Sequence, residues 1–309
     1  MFAADEMPTK HKYIDIHIRP GAFFYGQHVS VKGLLQWMDE YDVERAVIQP
    51  LVSPESAPML QPMQSSDAAL EAAHDHPDRL IAFCCLDPRA AIDPTAPKTN
   101  PNRQGHVAGV KGLTEILKRY KDAGARGLGE HKVGLFFDHP QMMQLYEACG
   151  ALEFPMLFHL DDLRGIDTPG LPRLENVLKA FPKLSLIGHA CGFWSSISGD
   201  ATPADFGRYP TVPTPITTGG ALDRLMDTYP NLYADISEPG GAMALTRDPA
   251  RAREFVIRRA DRLLFGSDYL APGQQIPQFD ILAAMNLPDD VEYKIHRGNA
   301  LRVLKLPVP

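Results

Sequence analysis

Histidines and carboxylates recur along this chain at one kind of position, directly after a short apolar run. Ile14-Asp15-Ile16-His17-Ile18-Arg19 comes first, followed by Gly129-Glu130-His131, Leu157-Phe158-His159, Ile187-Gly188-His189, Ala234-Asp235 and Gly266-Ser267-Asp268. Neutral imidazole nitrogens and carboxylate oxygens are the ligands a zinc-type ion takes, with one position left open for water. Any one of these histidines alone reads as a hydrogen-bonded structural group; several at converging strand ends read as one site. His11, His28, His74, His76, His106, His139 and His296 fall in loops or at helix ends and are expected to be structural.

The elements that must position these residues follow a regular rhythm. Eight apolar runs read as strands: Tyr13 to Ile18, Ala46 to Leu51, Leu80 to Leu86, Gly124 to Glu130, Pro155 to Leu160, Leu184 to His189, Leu232 to Ile236 and Leu263 to Asp268. Between them lie stretches of 3.6-residue periodicity, such as Val31, Leu34, Leu35 and Met38 after an N-cap at Ser30, and Leu174, Val177 and Leu178 after Pro172. Helices break at His76-Pro-Asp-Arg-Leu80, Phe181-Pro-Lys-Leu184, Tyr229-Pro-Asn-Leu232 and Ala260-Asp-Arg-Leu263, each directly before a strand. The long Gly-, Pro- and Ser-rich loops, 19–30, 88–109, 161–171 and 191–218, all follow strand C-termini. This asymmetry predicts an α/β fold, a distorted (β/α)8 TIM barrel whose chemistry lies on its C-terminal face. A doubly wound open sheet would call for a GxGxxG or P-loop turn, and the chain has neither. Period-2 alternation in the first strand places Asp15, His17 and Arg19 on one face, toward the barrel axis, and three isoleucines on the other.

Composition narrows the function classes. The 309 residues carry 31 basic and 38 acidic side chains, a net charge of −7, with no cationic block to displace counterions from nucleic acid. No apolar run reaches the roughly 20 residues that span a bilayer, and the first dozen residues lack a signal-peptide pattern. The reading is a cytoplasmic protein with an N-terminal extension, 1–12, and one barrel domain, 13–309. Cys84, Cys85, Cys149 and Cys191 lack CxxC spacing and are expected to be buried thiols. Symmetric dimers are common and barrel helices offer apolar faces, so a homodimer is compatible with the chain.

Ile14-Asp15-Ile16-His17, His159, Gly188-His189 and Gly266-Ser267-Asp268, taken in order, resemble the amidohydrolase superfamily. Within it the chain is similar to the amidohydrolase-2 branch, which includes aminocarboxymuconate-semialdehyde decarboxylase and related decarboxylases and hydrolases. Gly298-Asn299-Ala300-Leu301-Arg302-Val303-Leu304 resembles that branch's closing segment, and the likeness runs from about residue 13 to about 304. It implies a mononuclear site holding zinc, or manganese, with His17, His159 and Asp268 as ligands and His189 as ligand or acid/base. Gly129-Glu130 resembles the Gly-Glu of TatD-like relatives, which implies Glu130 as a further ligand; a salt-bridged core carboxylate is its alternative.

The chain departs from the family where the first strand usually reads His-x-His, because Arg19 replaces the second histidine. A guanidinium has no lone pair for a metal. Either Glu130 completes the site and Arg19 binds a substrate carboxylate, or the guanidinium supplies the positive charge and no metal is needed. In relatives the strand-six motif often reads Gly-His-x-Gly-Gly, whereas here Cys191 stands fourth.

Hydrolysis by metal-activated water with Asp268 as base, and non-oxidative decarboxylation with Asp268 or His189 as proton donor, use the same residues. A silent metabolite-binding paralogue is a third reading. Phe23, Phe24 and Tyr25, and Phe193, Trp194, Phe206 and Tyr209, suggest a partly aromatic pocket for a small cyclic or aromatic acid, with Trp194 against the substrate. Packing of the loops onto the barrel is the alternative role for these rings. Arg89 and Lys132 join Arg19 as candidates for holding an anionic group.

Overall fold

The computed structural model describes residues 11–23, 27–51, 65–89, 92–93, 106–107, 109–208 and 214–307. Phe24, Tyr25, Tyr209 and most of the loop 88–109 lie outside the described residues, as does most of the expected N-terminal extension.

All eight expected strands form: β1 Tyr13–Ile18, β2 Val43–Ile48, β3 Leu80–Ala82, β4 Leu128–His131, β5 Met156–His159, β6 Leu186–His189, β7 Leu232–Asp235 and β8 Leu263–Leu264. Each ladder among them is parallel, in the orders β1-β2-β3 and β8-β7-β6-β5-β4. The two arcs join through a parallel bridge from Cys84 to Leu128 and another from Ile18 to Tyr269, which closes the barrel. β8 is shorter than expected because the chain beyond Leu264 is tied to β1 by separate bonds. Ile16 N–H donates to Phe265 O (3.0 Å), and Asp268 N–H donates to His17 O (2.8 Å).

Helices α1 Val31–Glu40, α2 Ser66–Asp75, α3 Val110–Asp122, α4 Pro140–Ala151 and α5 Pro172–Ala180 alternate with the strands, followed by the short α6 Cys191–Ser195. α7 Ala221–Thr228, α8 Glu238–Thr246, α9 Pro249–Arg258 and α10 Pro277–Ala284 complete the outer layer. Ser30 caps α1 as its sequence predicts, its hydroxyl accepting from Gly33 N–H at 3.0 Å. No helix among the described residues is long and apolar enough to cross a membrane.

Two apolar clusters divide along strand alternation. Met156, Phe158, Leu186, Leu232 and Leu263 pack outward with the helices. Ile14, Ile16, Val47, Ile81, Leu157, Ile187, Tyr233 and Leu264 form the inner cluster, which Ala300, Leu301 and Leu304 of the C-terminal helical segment join. One step further along the same inner face, leucine and isoleucine give way to His159, His189 and Asp235, so the barrel floor is apolar and its mouth polar.

The simple alternation read for β1 does not hold. Ile14 and Ile16 face inward, yet Ile18 belongs to the outer cluster. The β1–β2 register shifts between Asp15 and Ile18, and this bulge turns His17 and Arg19 inward after Ile16. Asp15 instead lies along the strand edge, its Oδ1 accepting from His17 N–H (2.9 Å) and Ser267 N–H (3.1 Å). β4 has a matching irregularity: Met156 pairs with Leu128 but Phe158 with His131, and the extra residue delivers Glu130 to the mouth.

Candidate active site

Asp235, at the end of β7, is the acceptor around which the imidazoles are arranged. Its Oδ2 accepts from His17 Nδ1 at 2.7 Å and lies 3.0 Å from His189 Nδ1, while Ser237 Oγ donates to it at 2.7 Å. Burial by itself would raise this carboxyl, but hydrogen bonds and charge from His17 and His189 hold it well below the usual carboxylate range. With both Nδ1 atoms fixed, the Nε2 atoms of His17 and His189 point into the barrel mouth. Two motif glycines make room for this arrangement. A Cβ on Gly266 would strike Asp235 Oδ1, and one on Gly188 would strike the Phe193 ring.

Glu130 lies fully buried across from this pair. Its Oε1 receives His159 Nδ1 (2.7 Å) and Lys132 Nζ (2.9 Å), and its Oε2 is ion-paired with Arg19 Nη2. Burial would raise its pKa, but Arg19 and then Lys132 hold it well below the ordinary value. Arg19 Nη2 also lies 2.9 Å from His17 Nε2 and 3.2 Å from Asp268 Oδ1.

Asp268 adopts φ 52°, a left-handed conformation unusual outside glycine. Its N–H bond to His17 O and the bond that Gln274 Nε2 donates to Asp268 O (2.9 Å) hold that turn in place. Glu238, the first residue of α8, also has a positive φ (54°) and brings Oε2 to 3.3 Å from His189 Nε2.

Two buried ligand-type atoms in this cluster, His189 Nε2 and Asp268 Oδ1, make no well-formed hydrogen bond; their near neighbours are charged groups, Glu238 Oε2 at 3.3 Å and Arg19 Nη2 at 3.2 Å. Ligand atoms of His189, Glu238 and Asp268 lie within 4.8 Å of one another, as do those of His17, Glu130 and His189. Atoms of these types, converging with a further carboxylate, fit a divalent cation.

The structure therefore brings His17, Arg19, Glu130, His159, His189 and Asp268 to one mouth, each within contact distance of another member. His159 is spoken for at both ring nitrogens, Nδ1 by Glu130 and Nε2 by Asp161 Oδ2 at 2.9 Å. Trp194 has the packing role that was the alternative for these rings. It is buried in the outer layer, edge-on to Phe193 and Phe255, and its Nε1 donates to Asp235 O at 2.9 Å. Cys191 donates its thiol to Phe206 O, and burial pushes that thiol up to about 12. Arg89 pairs with Asp87, and Lys132 lies at Glu130. Glu238, Asp161 and the role of Asp235 were not assigned from sequence. Asp235 carried a signal as a polar strand end; Glu238 reads as an ordinary first-turn helix acid and carried none.

A family model described as amidohydrolase matches residues 14–306, and the chain belongs to that family. No curated protein matches it. Among solved structures it resembles an uncharacterised TIM-barrel protein, Bb4693 of Bordetella bronchiseptica, at 17% identity and TM-score 0.64, over 96% of this chain and 99% of that one. A 2,6-dihydroxybenzoate decarboxylase from Rhizobium matches at 18% identity and TM-score 0.56, covering 96% and 99%. A candidate 2-pyrone-4,6-dicarboxylic acid hydrolase from Pseudomonas putida matches at 14% identity and TM-score 0.60, again over 96% and 99%.

Proposed function

We propose that this chain is a metal-dependent hydrolase of a small cyclic or aromatic carboxylic acid derivative, a lactone, ester or amide. The observation that carries the reading is the buried group His189, Glu238 and Asp268: its ligand atoms lie within 4.8 Å of one another, and two of them, His189 Nε2 and Asp268 Oδ1, make no well-formed hydrogen bond. His189, Asp268 and Glu238 would hold a zinc or manganese ion, with His17 and Glu130 on the far side of the cluster. When bound, such an ion polarises a carbonyl oxygen and makes water nucleophilic near neutral pH.

The chain's own groups supply the rest. Asp268 is 8% exposed where His17 and Glu130 are fully buried, so its carboxylate can take a proton from attacking water and return it to the leaving group. Arg19 and Lys132 offset the charge of Glu130, which lessens the repulsion of an anionic substrate on that side of the mouth. His159, held between Glu130 and Asp161, keeps Glu130 oriented.

Non-oxidative decarboxylation is the second reading, favoured by one observation. His189 lies between two carboxylates, Nδ1 3.0 Å from Asp235 Oδ2 and Nε2 3.3 Å from Glu238 Oε2, and although burial opposes it they raise its pKa well above the ordinary value, so that with no ion on Nε2 His189 can donate a proton. In that scheme the proton goes to the carbon that loses carbon dioxide.

The test is metal content of protein purified without added metal or chelator, paired with a screen of lactones, esters, amides and carboxylated aromatics for hydrolysis and carbon dioxide release. About one ion per chain is expected, with Asp268→Asn lowering turnover by about 10²–10⁴ while the ion is retained in part. Protein that neither loads an ion nor turns over any member of the screen would refute the metal-dependent reading.

A further inference from the structure

Arg19 stands where the sequence pattern of the family places a second histidine, and the structure shows what its guanidinium does there. Nη2 lies 2.9 Å from the lone pair of His17 Nε2 and 3.2 Å from Asp268 Oδ1, and it is ion-paired with Glu130 Oε2. Those three atoms come from β1, β4 and the turn that follows β8, and they are the imidazole and carboxylate groups that a metal would take. We infer that Arg19 is a built-in cation filling one half of the donor cluster, so that this chain holds its divalent ion in the other half, on His189, Glu238 and Asp268.

Three further observations support this division. Arg19 is 2% exposed and cannot swing out to solvent without vacating a buried position. Its guanidinium stays protonated, so it neither ligates an ion nor gives way by losing its charge. Glu130, the acid a metal on the His17 side would need, already receives Arg19, Lys132 and His159. His189 Nε2, in contrast, belongs to the set that includes Glu238, while Asp268 is shared between that set and Arg19. A guanidinium beside a divalent ion repels it, so the ion is held more weakly here than the same donors would hold it without Arg19. Glu238 thereby becomes a ligand contributed by the α8 N-terminus rather than by a strand.

This inference rests on the metal-dependent reading above, and its test separates the two. Metal-stripped parent, Arg19→Met, Arg19→His and Glu238→Gln proteins are titrated calorimetrically with zinc chloride, with melting curves to establish that each is folded. Zinc affinity is expected to rise at least tenfold in Arg19→Met, which frees His17 Nε2 and Glu130 Oε2 from the guanidinium. Arg19→His is expected to rise further, since it adds a ligand, and it provides a second variant if Arg19→Met fails to fold. Glu238→Gln is expected to lose at least tenfold in the parent background and less than threefold when combined with Arg19→Met. Unchanged zinc affinity in both folded Arg19 variants overturns the inference, while the metal-dependent reading survives if the parent loads one ion. A parent that binds no zinc overturns the metal-dependent reading and with it the placement of an ion on His189, Glu238 and Asp268, even where Arg19→His binds one.

Discussion

Asp235 carries no reacting group in the proposed chemistry, yet two imidazoles take their orientation from it. His17 Nδ1 and His189 Nδ1 both face its Oδ2, and Ser237 donates to the same atom. Asp235→Asn preserves shape but removes the charge that both rings share, and its amide presents a donor where an acceptor is needed. Divalent-ion affinity is expected to fall about 10–100-fold, the usual cost of losing an outer carboxylate partner. Equilibrium dialysis with zinc would measure it, and a loss under threefold would mean the imidazoles are fixed by packing alone. The sequence reveals that Asp235 ends a strand and is polar, which is as far as residue types reach. Its role depends on two ring nitrogens brought together from β1 and β6, and pairings of that range have no local signature. Glu238 shows the same limit more sharply, since only the left-handed turn into α8 points its carboxylate at His189.

At the scale of elements, alternation predicts well where strands are regular and fails where they bulge. β5, β6 and β7 keep period two, so Leu157 and His159, Ile187 and His189, and Tyr233 and Asp235 share the inner face, as the strand-end reading requires. β1 and β4 each break register, and those two breaks deliver His17, Arg19 and Glu130. Such a bulge leaves the residue types in place and changes only the face they meet, so nothing in the sequence marked it. The glycines that follow apolar runs are legible as motif members, but their cause lies in packing. Gly266→Ala would push a methyl into Asp235 and within 3.1 Å of Ser237 Cβ, and about 1–3 kcal/mol of stability is expected to be lost. Gly150→Ala, late in α4 with nothing within 4 Å of the added carbon, is expected to gain about 0.5–1 kcal/mol. Urea unfolding of the two variants checks both signs; a stable Gly266→Ala protein with an intact zinc site would show that Asp235 can move aside.

For the molecule as a whole, closure of the barrel floor makes its stability depend on pH through a residue far from the mouth in function. His296 lies in the C-terminal helical segment beneath β1, its ring 4.2 Å from that of Tyr13 and its Nε2 without a hydrogen-bond partner. Burial pushes its pKa down to about 4. The unfolded chain accepts a proton at this group from about pH 6.5 downward, whereas the folded chain does so only near pH 4, so between those values the unfolded state binds more protons. The favourable contribution is therefore complete above about pH 6.5 and is lost as pH falls toward 4, at a total of about 3 kcal/mol. His296→Phe keeps a ring against Tyr13 and has no proton to gain. Its unfolding free energy, measured in urea at steps from pH 7.5 to 4, is expected to fall less steeply than the parent's, the gap widening below pH 6.5. His131, also held near 4 by burial, keeps some acid sensitivity in both proteins and leaves the difference between them unaffected. Parallel curves across that range would mean that His296 takes up its proton in the fold over the same pH range as in the unfolded chain, and that the segment closing the barrel floor admits water around its ring.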